Sequence, residues 1–268
     1  MKKKELRQRV DYETLLREVK GKSVTRPNSK MNGTLSGHAA GEPFEKLIYQ
    51  QLKRGYEGNV FKQYEFLNAL YQRNPQVISA EDRYALFNSP TALFLLSRSE
   101  SATSAWNPTN IFEEKQNDTA DILFYDKDSN YYELIDVKTR NVNKNAQPPN
   151  IISAYKLAQA CAIMIDNKEY STVSINYVEV DWKEDSEKLI CEDAHFASLF
   201  KIAPENLYIN WAAAMQIQFH VSEVEQSWKE TMEKWAIAYI SHFVASARLR
   251  CKRMEAEYIT PFLKYIEK

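Results

Sequence analysis

Two strand-forming runs meet across a turn in the middle of this chain, and they constrain its fold more than any other feature. Thr119-Ala-Asp121-Ile-Leu-Phe124 leads into Asp126-Lys-Asp-Ser-Asn130, a cluster of turn formers, and Tyr131-Tyr-Glu-Leu-Ile-Asp136-Val137-Lys138-Thr139-Arg140 follows. β-Branched and aromatic residues favour extended backbone, and Asp, Ser and Asn favour turns, so the segment reads as a β-hairpin. Facing positions of an antiparallel pair have a constant index sum. If Phe124 faces Glu133, with a loop of about four residues, Asp121 falls opposite Asp136. Side chains alternate along a strand, so Asp136 and Lys138 leave one face while Ile135 and Val137 leave the other.

Two carboxylates so placed repel each other, and one of them would ordinarily keep its proton. A divalent cation removes that conflict. Oxygen ligands from Asp121, Asp136 and a backbone carbonyl suit Mg2+, which keeps several waters and takes few protein carboxylates. Lys138 then stands where it can polarise a water or steady charge on a phosphate, which is the chemistry of metal-assisted phosphodiester hydrolysis. Spacing alone leaves a second reading open, because Asp and Lys two apart on a strand also form an ordinary solvated face.

The next stretch favours the first reading. From Lys138 to Ile165 there is no acidic residue, and Lys138, Arg140, Lys144 and Lys156 are interspersed with Asn141, Asn143, Asn145, Gln147 and Asn150. Amides pair with base edges and cations with phosphates.

A chain of 268 residues, 44% hydrophobic and 12% aromatic, has material for one large domain with a sizeable core. The reading is a basic N-terminal arm or helix over 1–20 and a single domain over 21–268. No apolar run approaches the ~20 residues of a membrane span. Met1-Lys-Lys-Lys has no apolar stretch behind it, as a signal peptide would. Cys161, Cys191 and Cys251 are odd in number and lack zinc spacing, which suits a reducing cytoplasm. The net charge of −1 argues against indiscriminate nucleic-acid binding, but residues 1–54 carry thirteen Lys/Arg against six Asp/Glu.

All six glycines lie at or before Gly58, so later turns must rely on Asn, Asp, Ser and Pro. Residues 21–41 read as a basic loop. A helix is expected from Glu42-Pro43, with Phe44, Leu47, Ile48 and Leu52 inward, and others over 61–72, 80–88, 90–99 and 109–115. Trp106-Asn-Pro108 reads as a turn, and Gln116 and Asn117 stand within reach of DNA. Beyond Pro148-Pro149, Asn150 is expected to cap a helix over 151–167 with Ile152, Tyr155, Ala158, Ala162 and Ile165 on its buried face. Thr172–Trp182 alternates as a long strand, partnered by 189–191 and followed by a short helix near 195–200. Strands at 207–211 and 215–219 flank Ala212–Ala214, small enough for close backbone approach. A last long helix should run over 226–260 and end near Pro261, with a last turn to 267, Trp228, Met232, Trp235, Tyr239 and Phe243 as its apolar stripe and a basic cluster at Arg248, Arg250, Lys252 and Arg253.

Asp121 followed by Asp136-Val-Lys138 is similar to the PD-(D/E)xK nuclease motif, with Ala120 where Pro is usual. Longer strings extend the likeness: Ser36-Gly-His-Ala-Ala-Gly-Glu-Pro-Phe-Glu-Lys46, Glu113 through Asp121, Asp136-Val-Lys-Thr-Arg-Asn141, Asn150-Ile-Ile-Ser-Ala-Tyr-Lys-Leu-Ala-Gln159 and Tyr208-Ile-Asn-Trp-Ala-Ala-Ala-Met-Gln-Ile-Gln-Phe-His220. From about residue 20 onward the chain resembles the HincII family of type II restriction endonucleases. That resemblance implies an α/β fold with a central mixed sheet flanked by helices and a long C-terminal helix. It implies a homodimer on duplex DNA, cutting the palindrome GTYRAC to blunt ends with 5′-phosphates, and a DNA methyltransferase of the same specificity in the host. It implies catalysis by Asp121, Asp136 and Lys138, and Mg2+ held by Asp121, Asp136 and the Val137 carbonyl. DNA contacts would come from Thr139, Arg140, Asn141, Ala146, Gln147, Asn150, Tyr208, Asn210 and Ala212, with Gln147 intercalating. Glu45 and His38 are further candidates for the site. A structure-specific or repair nuclease and a non-catalytic DNA-binding protein are the alternative readings.

Overall fold

The computed structural model describes residues 9–27, 37–71, 76, 78–97 and 119–266. The expected helix over 109–115, the Trp106 turn, Gln116 and Asn117 lie outside the described residues, as do residues 1–8 and 28–36.

The hairpin is the middle of a mixed sheet. Strands β1 (Ser23–Thr25), β2 (Val60–Lys62), β3 (Ile122–Asp126), β4 (Tyr131–Asn141), β6 (Val173–Asp185) and β7 (Lys188–Ser198) pair in the order β1-β7-β6-β4-β3-β2. Only β4 and β6 run parallel, with helix α6 (Ala154–Asn167) in the crossover between them. Strands β5 (Asn150–Ser153), β8 (Tyr208–Asn210) and β9 (Gln216–Gln218) make a second, antiparallel sheet in the order β5-β9-β8.

Both faces of the main sheet are covered, and alternation along β4 sorts its side chains between them. Ile135 and Val137 pack with Phe44, Ile48 and Leu52 of α2 (Gly37–Gly55) and with Leu15 and Val19 of α1 (Tyr12–Val19). Tyr132 and Leu134 face the other cluster, with Leu157, Ala160 and Cys161 of α6 and Trp235 and Tyr239 of α7 (Met232–Met254). Helices α3 (Gln63–Tyr71), α4 (Ala80–Phe87) and α5 (Pro90–Leu96) extend that second core; every residue of α5 from Thr91 to Leu96 is buried. Each large apolar side chain so enclosed contributes about 1.5–3 kcal/mol.

Several elements differ from the sequence expectation. Asn150 does not cap a helix. Residues 150–153 pair with β9, and the helix begins one turn later, where the Ser153 hydroxyl accepts from the Lys156 N–H at 3.3 Å. The buried face of α6 is therefore Ala154, Leu157, Ala160, Cys161 and Met164, with Tyr155 and Ala162 outside. β7 runs to Ser198, so the expected helix near 195–200 is strand followed by the single 3-10 turn Leu199–Lys201; pairing with β6 overrides local propensity. Helix α2 starts before Glu42, leaving Pro43 inside it. Ser23–Thr25 is an edge strand rather than loop, paired to β7.

The C-terminal helix begins at Met232, not 226, because Gln226 and Trp228 dock elsewhere. The Gln226 amide bridges the Ser198 N–H and the Phe196 carbonyl, and Trp228 N–H donates to the Lys201 carbonyl. Thr231 then caps α7. Near Pro261 the helix changes form, and a last turn follows as expected. The ladder widens to a π-turn over Glu255–Ile259, and α8 (Thr260–Leu263) continues past the proline. A proline ring clashes with the carbonyl four residues earlier, and a π-turn relieves that clash. No described helix is long and apolar enough to cross a membrane.

Beyond Gly58 the chain has no glycine and turns on other residues. Among the described residues, Asn130, Lys168, Ser186, Ala214 and Met215 have left-handed backbone. Asn tolerates this region, whereas Lys, Ser, Ala and Met enter it at a cost.

Candidate active site

The β3–β4 register puts Phe124 opposite Glu133 and Ile122 opposite Ile135, with residues 127–130 as the loop. Extending it one step sets Asp121 against Asp136, on the face opposite Ile135 and Val137. The Asp121 Oδ2 accepts from the Val137 N–H at 2.8 Å, which locks the carboxylate to the neighbouring strand. Lys138 Nζ lies 2.7 Å from Asp136 Oδ2. Asp136 is only 7% exposed.

Electrostatics matches that crowding. Burial, and then the carboxylate of Asp136, push Asp121 up from 3.8 to about 7, against the pull of the Val137 N–H and Lys138. Beside Asp136 in the parallel register lies Tyr177, buried, with no hydrogen-bond partner for its hydroxyl among the described residues. Burial and the Asp136 charge raise that hydroxyl well above the ordinary tyrosine range. The pocket thus carries more negative charge than its solvation supports, and its donor set is all oxygen. Both properties fit a hard divalent cation held by Asp121, Asp136 and a backbone carbonyl.

Glu45 and Lys62 form an ion pair. Lys62 is paired in register with Ile122, whose side chain sits in the core under α2. The pair therefore belongs to the face of the sheet opposite Asp136. Among the described residues no three acidic, His or Cys groups converge on one point. His38 lies in α2, and its side chain is outside the described set.

The remaining sequence candidates fall into two groups. Thr139, Arg140 and Asn141 continue β4 beyond the lysine. Arg140 is engaged with Ser222 Oγ at 3.2 Å and Glu223 Oε1 at 2.9 Å, and Asn141 Oδ1 accepts from Asn143 N–H. Ala146 and Gln147 are exposed on the following loop. The second sheet gathers the others. Asn150 and Tyr208 are register partners of the same Gln218. Gln218 Nε2 donates to Asn150 Oδ1 at 2.8 Å, and Asn210 Nδ2 donates to Gln218 Oε1 at 2.9 Å. Asn210 Oδ1 accepts from the Ala212 and Ala213 N–H groups, so it also shapes the Ala212–Ala214 turn. Tyr208 is 63% exposed beside this amide row. Lys156, grouped in sequence with the loop cations, is instead buried, donating to Thr119 Oγ1 and the Ser97 carbonyl.

Sequence reasoning missed a group next to the lysine and the histidine behind it. Glu179 is paired with Lys138 in the parallel register and is fully buried. Its Oε1 lies 3.1 Å from His220 Nδ1, and its Oε2 accepts from Ser222 N–H and Oγ–H. The signal available was an acid amid the apolar residues of Val178-Glu-Val180. Nothing in spacing linked it to a histidine forty-one residues on.

Comparison with known proteins gives the class first: the chain is similar to type II restriction enzymes. It is 59% identical to the type II restriction enzyme HindII of Haemophilus influenzae (strain ATCC 51907 / DSM 11121 / KW20 / Rd) over 246 residues, 92% of this chain and 93% of that one. It is 58% identical to the type II restriction enzyme HincII of Haemophilus influenzae over the same shares. The sequence model described as restriction endonuclease HincII matches residues 15–266. The chain belongs to the HincII restriction endonuclease family. The solved structure of NlaIV restriction endonuclease overlaps 96% of this chain and 86% of its own at a TM-score of 0.40 and 11% identity, too loose a likeness to add to the assignment.

Proposed function

We propose that this restriction endonuclease acts as a Mg2+-dependent homodimer that cuts both strands of duplex DNA at GTYRAC, leaving blunt ends with 5′-phosphates. The observation that carries the reading is the meeting of Asp121, Asp136 and Lys138 at the open end of one hairpin, in a chain close to named type II restriction enzymes. Asp121, Asp136 and the Val137 carbonyl would hold the metal, which supplies positive charge to the scissile phosphate and eases loss of a proton from the attacking water. The Val137 N–H fixes the Asp121 carboxylate, so this ligand is oriented before metal arrives. Lys138 balances Asp136 in the resting protein and offers its ammonium to the phosphate as charge develops there.

Thr139, Arg140, Asn141, Ala146, Gln147, Asn150, Tyr208, Asn210 and Ala212 would meet the DNA. Arg140 would exchange Glu223, an exposed partner worth little, for a phosphate. The Asn150–Gln218–Asn210 row presents amides suited to base edges, and Gln147 would enter the stack beside the site, where a central pyrimidine–purine step opens easily. A host methyltransferase of the same specificity would protect the genome, with both enzymes in the cytoplasm.

Digestion of a plasmid of known sequence tests this. Discrete fragments ending bluntly at GTYRAC are expected with Mg2+ and none with EDTA. Ends at junctions or flaps would indicate a structure-specific nuclease, and retention without cutting a binding protein. Gln147→Ala should lower discrimination between GTYRAC and its single-base variants more than it lowers the cleavage rate.

A further inference from the structure

The loop after Lys138 has few ties to the body of the protein. The Val142 N–H donates to the Trp182 carbonyl, and from there the hydrogen bonds turn local: Asn143 N–H to Asn141 Oδ1, Lys144 N–H to the Asn141 carbonyl, Ala146 N–H to the Lys144 carbonyl. Residues 142–147 are all exposed. Among the described residues, one hydrogen bond from outside reaches the stretch 143–149. It runs from His220 Nε2 to the Ala146 carbonyl at 3.3 Å. A carbonyl only accepts, so Nε2 carries the hydrogen.

His220 is itself held firmly. It is 7% exposed, its Nδ1 faces Glu179 at 3.1 Å, and Glu179 is fully buried. Ser222 secures the other Glu179 oxygen through both its N–H and its hydroxyl. Glu179 stands beside Lys138 across β4 and β6, and His220 follows β9, the strand that bonds Asn150 through Gln218. One buried side chain therefore connects the strand next to the lysine, the end of the second sheet and the carbonyl immediately before Gln147.

We infer that His220, anchored by Glu179, is a positioning residue for sequence discrimination: it fixes the Ala146–Gln147 backbone so that Gln147 is presented to DNA in a single arrangement. This rests on the proposed role of Gln147. Its physical basis is preorganisation. A tip tied at one point loses less conformational freedom on binding, and the gain is realised only on sites that accept the fixed arrangement.

The two arms of the ring can be removed separately. In His220→Asn the side-chain amide stands near the Nδ1 position and still reaches Glu179, but Ala146 loses its donor. In His220→Gln the amide reaches toward the Nε2 position, so the loop tie survives. Two readouts apply to the whole chain: kcat/KM on GTYRAC duplexes against single-base variants, and backbone amide hydrogen exchange over 142–147 without DNA. For His220→Asn we expect discrimination to fall roughly tenfold, the order set by one hydrogen bond, with faster exchange confined to the loop. His220→Gln should restore most of both. In a Gln147→Ala background, His220→Asn should lower discrimination no further. Equal loss of activity in both variants, with discrimination and loop exchange unchanged, overturns the inference and leaves His220 a core residue. Additive losses of discrimination with Gln147→Ala also overturn it. If Gln147→Ala alone leaves discrimination intact, the Gln147 reading fails, while loop exchange in His220→Asn against His220→Gln still decides whether the tie exists. Should His220→Asn not fold, wild-type against His220→Gln exchange decides: protection of the loop far below wild type in a folded Gln variant refutes a tie through Nε2.

Discussion

Asp121→Asn should make the metal-free protein more stable, and the gain should grow with pH. In the folded protein Asp121 keeps its proton up to about 7, because it is buried and faces Asp136; in the unfolded chain it releases it near 3.8. Between those values the folded state binds more protons than the unfolded state, so each step upward in pH costs the wild type stability. The protonated acid is fully accommodated below 3.8, and the loss is complete only above about 7. A displacement of about three pH units, at roughly 1.4 kcal/mol each, sets a ceiling of about 4 kcal/mol. Asparagine keeps an oxygen for the Val137 N–H and never ionises, so it escapes the penalty. The assay is urea unfolding of both proteins in EDTA from pH 4.5 to 8.5. The difference should be about 1 kcal/mol at the acid end, which already lies above 3.8, and grow to about 2–4 kcal/mol at the alkaline end. Added Mg2+ should then stabilise the wild type and not the variant, in proportion to its occupancy. A difference independent of pH, or one that shrinks as pH rises, would refute the account of two crowded carboxylates.

Other perturbations probe the remaining parts. Lys138→Ala should lower single-turnover cleavage by about a thousandfold or more while specific binding in Ca2+ or EDTA persists, as checked by gel shift; full activity would remove the lysine from the site. Ser153→Ala should cost about 1 kcal/mol in denaturant unfolding, since it uncaps α6, whereas Asn150→Ala should cost less than that in stability and more in discrimination. Lys156→Ala should destabilise the fold by about 1–3 kcal/mol, since it takes the donor from the buried Ser97 carbonyl and Thr119 hydroxyl, yet leave the salt dependence of DNA binding unchanged, because the ammonium is buried.

The hairpin and its two acids were legible because they depend on local rules. A run of strand formers, a turn cluster and an index sum put Asp121 against Asp136, and strand alternation put Lys138 on the same face as Asp136. Composition and spacing likewise marked the strands Tyr208–Asn210 and Gln216–Gln218, which flank a short turn of small residues, but not their partner β5. The errors lie where a distant partner decides. Asn150 has the chemistry of a helix cap, but β9 offers its backbone a strand to pair with, so Ser153 caps instead. Tyr155 has helical spacing with Ile152, yet α6 meets α5 and α7 along another face.

What the sequence determined by itself is the placement of two acids and a lysine at the hairpin's open end, because periodicity and turn formers act over a few residues and need no knowledge of the rest. What only the tertiary structure decided is how tightly that chemistry is enclosed and which groups support it. Burial beside a second carboxylate moves Asp121 to about 7, and a parallel crossover through α6 brings Glu179 beside Lys138 and, through it, His220 to the Ala146 carbonyl. Desolvation and long-range pairing depend on the whole packed core, and no window of adjacent residues carries that information.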